Sequence, residues 1–262
     1  MMKKLILLFT ILISTYNFAC SCAYFGTPFD SFSSADLVAD VTFTKVYPDL
    51  KNKNSPYINV DLNFNEIFKG KAIKTIKVYG AIFEGKKMYG SFTSCSLGAK
   101  VGQRMIVFMT KDKDGLFVLH FCDHKIKEEK KLASGISFNE SKNILKLLKA
   151  KQLVTNSKHL YADFGFNNET EKDDFEKIKG LNAKNRFAIF EIVLNSDGTF
   201  KNVSTMQNFN SDKDEEILSI IKKAKIKTTP NYNFSEDEKF TLIMFSYPKE
   251  QNNPSFISQY FL

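Results

Sequence analysis

The sequence predicts a mainly β N-terminal part with a flanking helix, followed by a small α+β part near the C-terminus. Three patterns predict this fold class. Between residues 36 and 122, short apolar runs alternate with turn signals, which is typical of a sandwich or a barrel. Ser137 and Glu140 then form a capping box in front of a helical apolar stripe. Beyond residue 186, the apolar pattern changes in the order strand, strand, helix, strand.

The N-terminal elements follow from period-two alternation and from short apolar runs. Residues 57–64 alternate apolar and polar, which places Ile58, Val60 and Leu62 on one face of a strand. Further strands are predicted over residues 73–79, 105–109 and 116–122. The helix after the capping box is predicted to end near residue 152 and carries Ile144, Leu145, Leu147 and Leu148 on one face.

The C-terminal part is predicted in the same way. Residues 187–194 and 199–206 read as strands joined by a turn at Ser196-Asp197-Gly198. Ser211 and Asp214 are predicted to cap a helix, and residues 240–247 form the last strand. The predicted organisation is a β domain with its helix over 20–153, a polar linker over 154–185, an α+β domain over 186–250 and a tail over 251–262.

The charge of the chain indicates a solvated surface. The 262 residues carry a net charge of +8, and arginine occurs only at Arg104 and Arg186. Bidentate recognition of phosphates and bases depends mainly on arginine. The lysines alternate with acidic residues and form no basic stripe. We therefore expect no nucleic-acid partner.

The first 19 residues are predicted to be a signal peptide. Lys3 and Lys4 precede the short apolar run 5–13, and Ala19 offers a small residue at a cleavage site. This run is too short to span a membrane, and no later stretch approaches ~18 consecutive apolar residues. Cleavage makes Cys20 the first residue, which raises the alternative of a lipid anchor on Cys20. The expected location is outside the cytoplasm: the periplasm, the cell surface or the medium.

The four cysteines indicate a disulfide framework in an exported chain. They are Cys20, Cys22, Cys95 and Cys122. A bridge between Cys20 and Cys22 would close a strained ring, so each is expected to pair with one of the two distant cysteines. Two pairings stay open at this point. In the chain-entropy model, each of these long-range bridges would raise the free energy of unfolding by ~4–5 kcal/mol.

One alternative interpretation is a metal site at His120, Cys122 and His124. The spacing of two places all three on one face of a strand, where two imidazoles and a thiolate would supply three zinc ligands. The chain would then be an envelope metalloenzyme or a metal carrier. The disulfide interpretation of Cys122 competes with it. The sequence contains no nucleophile elbow, no Walker-type loop and no dinucleotide fingerprint, and we predict no enzyme activity and no cofactor.

Residues 20–125 resemble the netrin-like family, which includes the tissue inhibitors of metalloproteinases. The motifs that carry this resemblance are Cys20-Ser21-Cys22, the run 35–41, Glu66-Ile67-Phe68-Lys69-Gly70, Ser94-Cys95, Gly102 and Cys122. The resemblance implies a five-stranded barrel of OB type, clamped by bridges Cys20–Cys95 and Cys22–Cys122. It also implies that the α-amine and carbonyl of Cys20 chelate the zinc of a metalloproteinase while the Ser21 side chain enters its specificity pocket.

Residues 185–250 resemble the C-terminal domain of TonB-type proteins. The motif comprises the strand 190–194, the turn residues 195–199, Val203, the acidic helix start 214–216, Pro230 and Pro248. The resemblance implies a small α+β domain of β-β-α-β order with an edge strand that accepts a partner strand. Together with the export signal, it implies a non-enzymatic binding protein of the bacterial envelope with a protein partner.

Overall fold

The computed structural model describes residues 22, 27–52, 54–128, 136–155, 161–165, 174–227, 233–250 and 254–261. These residues are mainly β, as predicted, with one curled half-barrel sheet and few helices. The predicted signal peptide, Cys20, Ser21 and Pro230 lie outside the described residues. None of the described helices is long and apolar enough to cross a membrane.

The N-terminal sheet has six strands in the order β7-β3-β2-β1-β6-β8. Its strands, with the separate hairpin β4–β5, are β1 (Leu37–Pro48), β2 (Tyr57–Lys69), β3 (Thr75–Tyr79), β4 (Ala81–Glu84), β5 (Lys87–Gly90), β6 (Arg104–Met109), β7 (Val118–Leu119) and β8 (Lys125–Lys127). The long pair β1–β2 changes register at three places. Such irregularities bend a sheet and increase its twist, which accounts for the curl.

Alternation along β1 separates two apolar layers. Ala39, Val41 and Phe43 are fully buried inside the curl. Val38 points to the opposite face and packs with Phe108 of β6. Both faces of β1 are therefore buried at this point, which is why the strand has no exposed position from Leu37 to Phe43.

The predicted capping box is present at the start of helix α1 (Phe138–Ala150). The Ser137 hydroxyl accepts a hydrogen bond from the Glu140 amide at 3.2 Å, and the Glu140 carboxylate accepts one from the Ser137 amide at 2.6 Å. These bonds satisfy two of the amides that a helix start leaves unpaired. The helix buries Ile144, Leu145 and Leu148 against the outer face of the sheet, as its periodicity predicts.

The C-terminal part contains a four-stranded sheet of order β11-β10-β13-β14, helix α2 (Asp214–Lys223) and a two-stranded sheet of β9 and β12. The strands are β9 (Tyr161–Asp163), β10 (Phe187–Leu194), β11 (Phe200–Gln207), β12 (Lys225–Lys227), β13 (Lys239–Tyr247) and β14 (Phe256–Ser258). Short strand β12 follows the helix, and β14 lies in the segment expected to be a tail. The sequence missed both because three-residue strands carry no measurable alternation.

The two parts of the chain share one apolar core. Alternate residues of β10 and β13, including Ile189 and Phe245, face helix α1 and the outer face of the N-terminal sheet. The Phe245 ring lies 6.2 Å from the ring of Phe29, which belongs to the 3₁₀ helix Pro28–Phe32. The C-terminal sheet therefore lies between this layer and helix α2, which packs on its other face.

Much of the segment expected to be a linker belongs to a core. Its buried apolar residues are Ala162, Phe164, Phe175, Ile178 and Leu181. The hydroxyl of Thr155 donates to the Asp30 carbonyl at 2.9 Å and accepts the Ser33 amide at the same distance, which ties the segment to the N-terminal part. Irregular spacing among many polar residues hides these apolar positions from a periodicity argument. The exact domain boundaries stay a prediction.

Candidate functional site at the clamped N-terminus

A disulfide attaches the N-terminal segment to one end of the half-barrel. Cys22 is bonded to Cys122, with 5.3 Å between their Cα atoms and a sequence separation of 100. This is one of the two bridges that the netrin-like resemblance implies. Cys95 is also disulfide-bonded, and its predicted partner Cys20 lies outside the described residues. No described cysteine is a free thiol.

Cys122 lies in a tight turn that follows β7. The His120 amide donates to the Asp123 carboxylate at 2.6 Å, and the Asp123 amide donates to the His120 carbonyl at 3.3 Å. The expected strand 116–122 is thus reduced to Val118–Leu119, since the chain turns at residue 120. Aspartate favours turns over strands because its carboxylate accepts hydrogen bonds from nearby backbone amides, as Asp123 does here from His120.

Lys125 stabilises the same turn by hydrogen bonds to its carbonyl groups. Its ammonium donates to the carbonyls of His120, Phe121 and Asp123, at 3.5 Å and 3.0 Å for the first and the last. Burial lowers the pKa of Lys125 to about 8, against the opposing effect of the Asp123 carboxylate. A half-buried cation with three carbonyl partners restrains the turn that carries Cys122.

His120 belongs to an aromatic cluster and not to a metal site. Its ring lies 5.8 Å from the rings of both Tyr57 and Tyr79. The Tyr79 hydroxyl bonds the Ser91 hydroxyl at 3.2 Å, and hydrogen bonds with Ser91 and then Thr93 lower the pKa of Tyr79. This contact connects the cluster to the loop that carries Cys95.

That loop is held by its own side chains. The Thr93 hydroxyl accepts the Cys95 amide at 3.2 Å, and the Thr93 amide donates to the Ser96 hydroxyl at 2.8 Å. The Ser96 hydroxyl in turn donates to the Ser91 carbonyl at 2.6 Å. The loops that carry Cys95 and Cys122 are therefore both hydrogen-bonded, and Tyr79 contacts both, through Ser91 and through His120.

The structure contradicts the basis of the metal interpretation. His120, Cys122 and His124 do not lie on a common strand face, because a turn separates them. Cys122 is bonded to Cys22, and the His124 ring bonds the Ser31 hydroxyl through Nδ1. Among the described residues, no group of three or more His, Cys, Asp or Glu side chains is arranged to hold a metal ion.

A buried charge cluster lies on the outer face of the half-barrel, and sequence reasoning missed it. Asp40 of β1 is fully buried and accepts two hydrogen bonds from Arg104 of β6, at 2.9 Å and 2.6 Å. Lys142 of helix α1 lies 3.1 Å from the same carboxylate and 3.0 Å from Glu66. The cluster thus joins helix α1 to the sheet through paired charges.

The hairpin β4–β5 exposes an apolar surface. The hairpin follows β3, which ends at Tyr79 of the aromatic cluster with His120. Its exposed side chains are Phe83 (60%), Met88 (48%) and the adjoining Phe92 (72%). The rings of Phe83 and Phe92 lie 6.0 Å apart in edge-to-face contact. Clustered exposed apolar residues of this size mark interaction surfaces more often than isolated ones do.

An open cleft of about 590 Å³ lies in the C-terminal part. Its lining includes residues 180–183, Arg186, Ser246, Pro248, Lys249, Pro254 and Ser255. The Arg186 Nε donates to the Ser246 carbonyl at 2.9 Å, so the arginine supports the cleft wall. The lining comes from the C-terminal part alone and contains no residue of the sequence-predicted site.

No protein-family model matches the chain, and a search of the curated proteins finds no similar sequence. The netrin-like and TonB-like resemblances therefore stay predictions that rest on the motifs named above.

Proposed function

We propose that this chain is an exported, non-enzymatic binding protein of the bacterial envelope, with a netrin-like OB-type N-terminal domain and a TonB-like C-terminal domain of β-β-α-β order. The mainly β architecture and the curled half-barrel support the first assignment. The bond between Cys22 and Cys122 is the single observation that carries the proposal. A long-range disulfide at Cys22 fixes the N-terminal segment to the turn that carries Cys122.

The covalent geometry limits where the first residue of the mature chain can lie. Two residues of extended chain span at most ~7 Å, so Cys20 stays within that reach of Cys22. Cys22 is bonded to the turn that Lys125 and Asp123 hold rigid. The N-terminal amine is therefore presented from a rigid platform, and presenting a rigid group lowers the entropy cost of binding.

The chemistry of this terminus suits a metalloproteinase as the protein partner. An α-amine titrates near ~7.7–8.0, so a useful fraction is neutral at physiological pH and can donate its lone pair to zinc. In this proposal the amine and carbonyl of Cys20 chelate the partner's zinc, and the Ser21 side chain enters its specificity pocket. A lipid on Cys20 is the competing outcome, because an acylated amine cannot chelate.

The C-terminal sheet supplies a second binding element in this proposal. Strand β11 pairs with β10 on one side and forms the end of the four-stranded sheet within the described residues. An extended segment of a partner can add to such an edge through main-chain hydrogen bonds. Because this sheet shares a core with the N-terminal part, a partner bound there is held in fixed relation to the half-barrel.

A chelating N-terminus predicts that the processed protein inhibits a zinc metalloproteinase and that one extra N-terminal alanine abolishes the inhibition. The added residue converts the α-amine of Cys20 into an amide, which has no lone pair for zinc. The measurement is inhibitor potency against a panel of zinc metalloproteinases.

The control is the same pair of proteins compared for thermal unfolding, which the added alanine is expected to leave unchanged. Equal potency of the two proteins, or no inhibition by either, would leave the cysteine bridges with a structural role only. Intact mass measured with and without reduction reports the cleavage site, the bridges and any lipid on Cys20 in the same preparation.

A further inference from the structure

The hairpin β4–β5 presents apolar side chains outward from a fixed position. Phe83 and Met88 oppose each other across the hairpin, and Phe92 follows directly after it. The neighbouring residue Ile82 points the other way and packs on the core inside the curl. The hairpin therefore buries one apolar face and exposes the other, which is costly in water unless something covers it.

The base of the hairpin is closely packed. A Cβ atom on Gly90, whose φ is +86°, would lie 2.0 Å from the Gly80 carbonyl oxygen. The Ser91 amide donates to that same carbonyl at 3.0 Å. The two ends of the hairpin are thus held close together, with no space for a side chain at Gly90.

The charges at the hairpin tip indicate what covers this face. The two-residue turn is Gly85-Lys86, flanked by the opposing pair Glu84 and Lys87. All three charged side chains are exposed, and the tip carries a net positive charge. Lysine is depleted from protein–protein interfaces, whereas apolar and aromatic residues beside lysine are typical of surfaces that enter the headgroup layer of a membrane.

We propose that the hairpin β4–β5 docks the protein on an anionic lipid surface. Phe83, Met88 and Phe92 enter the boundary between headgroups and acyl chains, and Lys86 in the turn binds the lipid phosphates. Lys87 lies on the other face of the hairpin, with its ammonium 4.6 Å from the centre of the Tyr89 ring, and adds positive charge to the tip. A convex tip suits a deformable lipid layer, and the net positive charge of the chain draws it toward an anionic surface. The docking goes beyond the proposed function and does not depend on the N-terminus.

The chain contains no tryptophan, which gives a direct test of insertion. Phe92→Trp places a single reporter on the proposed surface, and Leu116→Trp places one at another exposed apolar position. With vesicles that contain phosphatidylglycerol, the emission of the Phe92→Trp protein is expected to shift to the blue and to be quenched by brominated lipid. The Leu116→Trp protein is expected to show neither change.

Cosedimentation with the same vesicles tests the residues themselves. The double variant Phe83→Ser/Met88→Ser is expected to bind roughly tenfold more weakly than the wild type, because partly buried apolar area is lost. Lys86→Gln/Lys87→Gln is expected to weaken binding by roughly tenfold or more and to reduce its salt dependence. The matched control Val101→Ser/Leu116→Ser removes exposed apolar side chains elsewhere and is expected to bind as the wild type does.

Failure of the wild-type protein to bind anionic vesicles would overturn the proposal and leave a protein as the occupant of this face. Equal weakening by the Val101→Ser/Leu116→Ser control would also overturn it. Thermal unfolding of every variant shows whether the fold is retained. Metalloproteinase inhibition does not enter these measurements, so this proposal and the proposed function can fail separately.

Discussion

Replacing Arg104 by methionine is expected to lower the free energy of unfolding by about 3 kcal/mol. The Asp40 side chain is fully buried and receives two hydrogen bonds from this guanidinium. Without it the carboxylate keeps only Lys142 and Asn65, each at 3.1 Å. Breaking a buried ion pair from one side is costly because the remaining charge has lost its compensation. Urea unfolding followed by circular dichroism measures the loss.

Two variants serve as controls for the Arg104 prediction. Lys201→Met removes an exposed lysine that pairs with Glu236 at 2.7 Å and is expected to change stability little, because solvent screens the pair. Asp40→Leu combined with Arg104→Met removes the buried carboxylate together with its partner and is expected to recover much of the lost stability. An Arg104→Met protein as stable as the Lys201→Met protein would contradict the assignment of Asp40 as a charge that needs its partner.

The same cluster predicts acid sensitivity. Burial by itself raises the pKa of the Asp40 carboxyl, but hydrogen bonds from Arg104, Asn65 and Lys142 outweigh burial and hold the pKa below its usual value. A carboxyl whose pKa is lowered by folding stabilises the protein above its unfolded pKa of ~3.9, and the contribution is lost as the pH falls through the folded pKa. Wild-type stability is therefore expected to fall below about pH 4. The Arg104→Met protein is expected to lose less over the same range, which unfolding titrations at several pH values would show.

Replacing both Cys22 and Cys122 by alanine is expected to lower the free energy of unfolding by ~4–5 kcal/mol. The bridge closes a loop of 100 residues, so its removal greatly increases the conformational freedom of the unfolded chain. Both cysteines are replaced together because a single free thiol can exchange with the bridge at Cys95. Thermal unfolding measures the change.

Two further measurements control the cysteine prediction. Thiol titration of the denatured, unreduced wild-type protein is expected to find no free thiols, whereas two or more would return Cys122 to the metal interpretation. Reduction of the wild type cleaves the Cys95 bridge as well and is expected to destabilise the protein more than the double substitution does. A double variant that unfolds at the wild-type temperature would show that the bridge contributes no stability.

Of the candidate site, the sequence predicted the disulfide but not the charge pair. The bond between Cys22 and Cys122 follows from cysteine spacing together with the netrin-like resemblance. The pair of Asp40 and Arg104 does not, because β1 and β6 bring together residues 64 positions apart. Asp40 by itself appears in sequence as an ordinary polar residue between alanine and valine.

The hairpin β4–β5 escaped prediction for a related reason. The segment 81–90 contains Ile82 and Phe83 side by side, so no strict alternation marks either residue as inward or outward. Only the packing of Ile82 on the inner core decides that Phe83 faces solvent. The same register places Lys87 on the face of Ile82 and Tyr89, opposite Phe83 and Met88.

What the sequence by itself determined is the set of strongly periodic elements. Strand β10 has the limits that alternation predicts, and helix α1 begins at its predicted capping box. These elements depend on contacts within a few residues, which a local pattern records. Only the tertiary structure decided the curl of the N-terminal sheet, the burial of Phe164, Phe175 and Leu181, and the core shared by Phe29 and Phe245. Those features depend on contacts between residues that are distant in sequence. The local pattern shows that a face is apolar but not which distant residues pack against it.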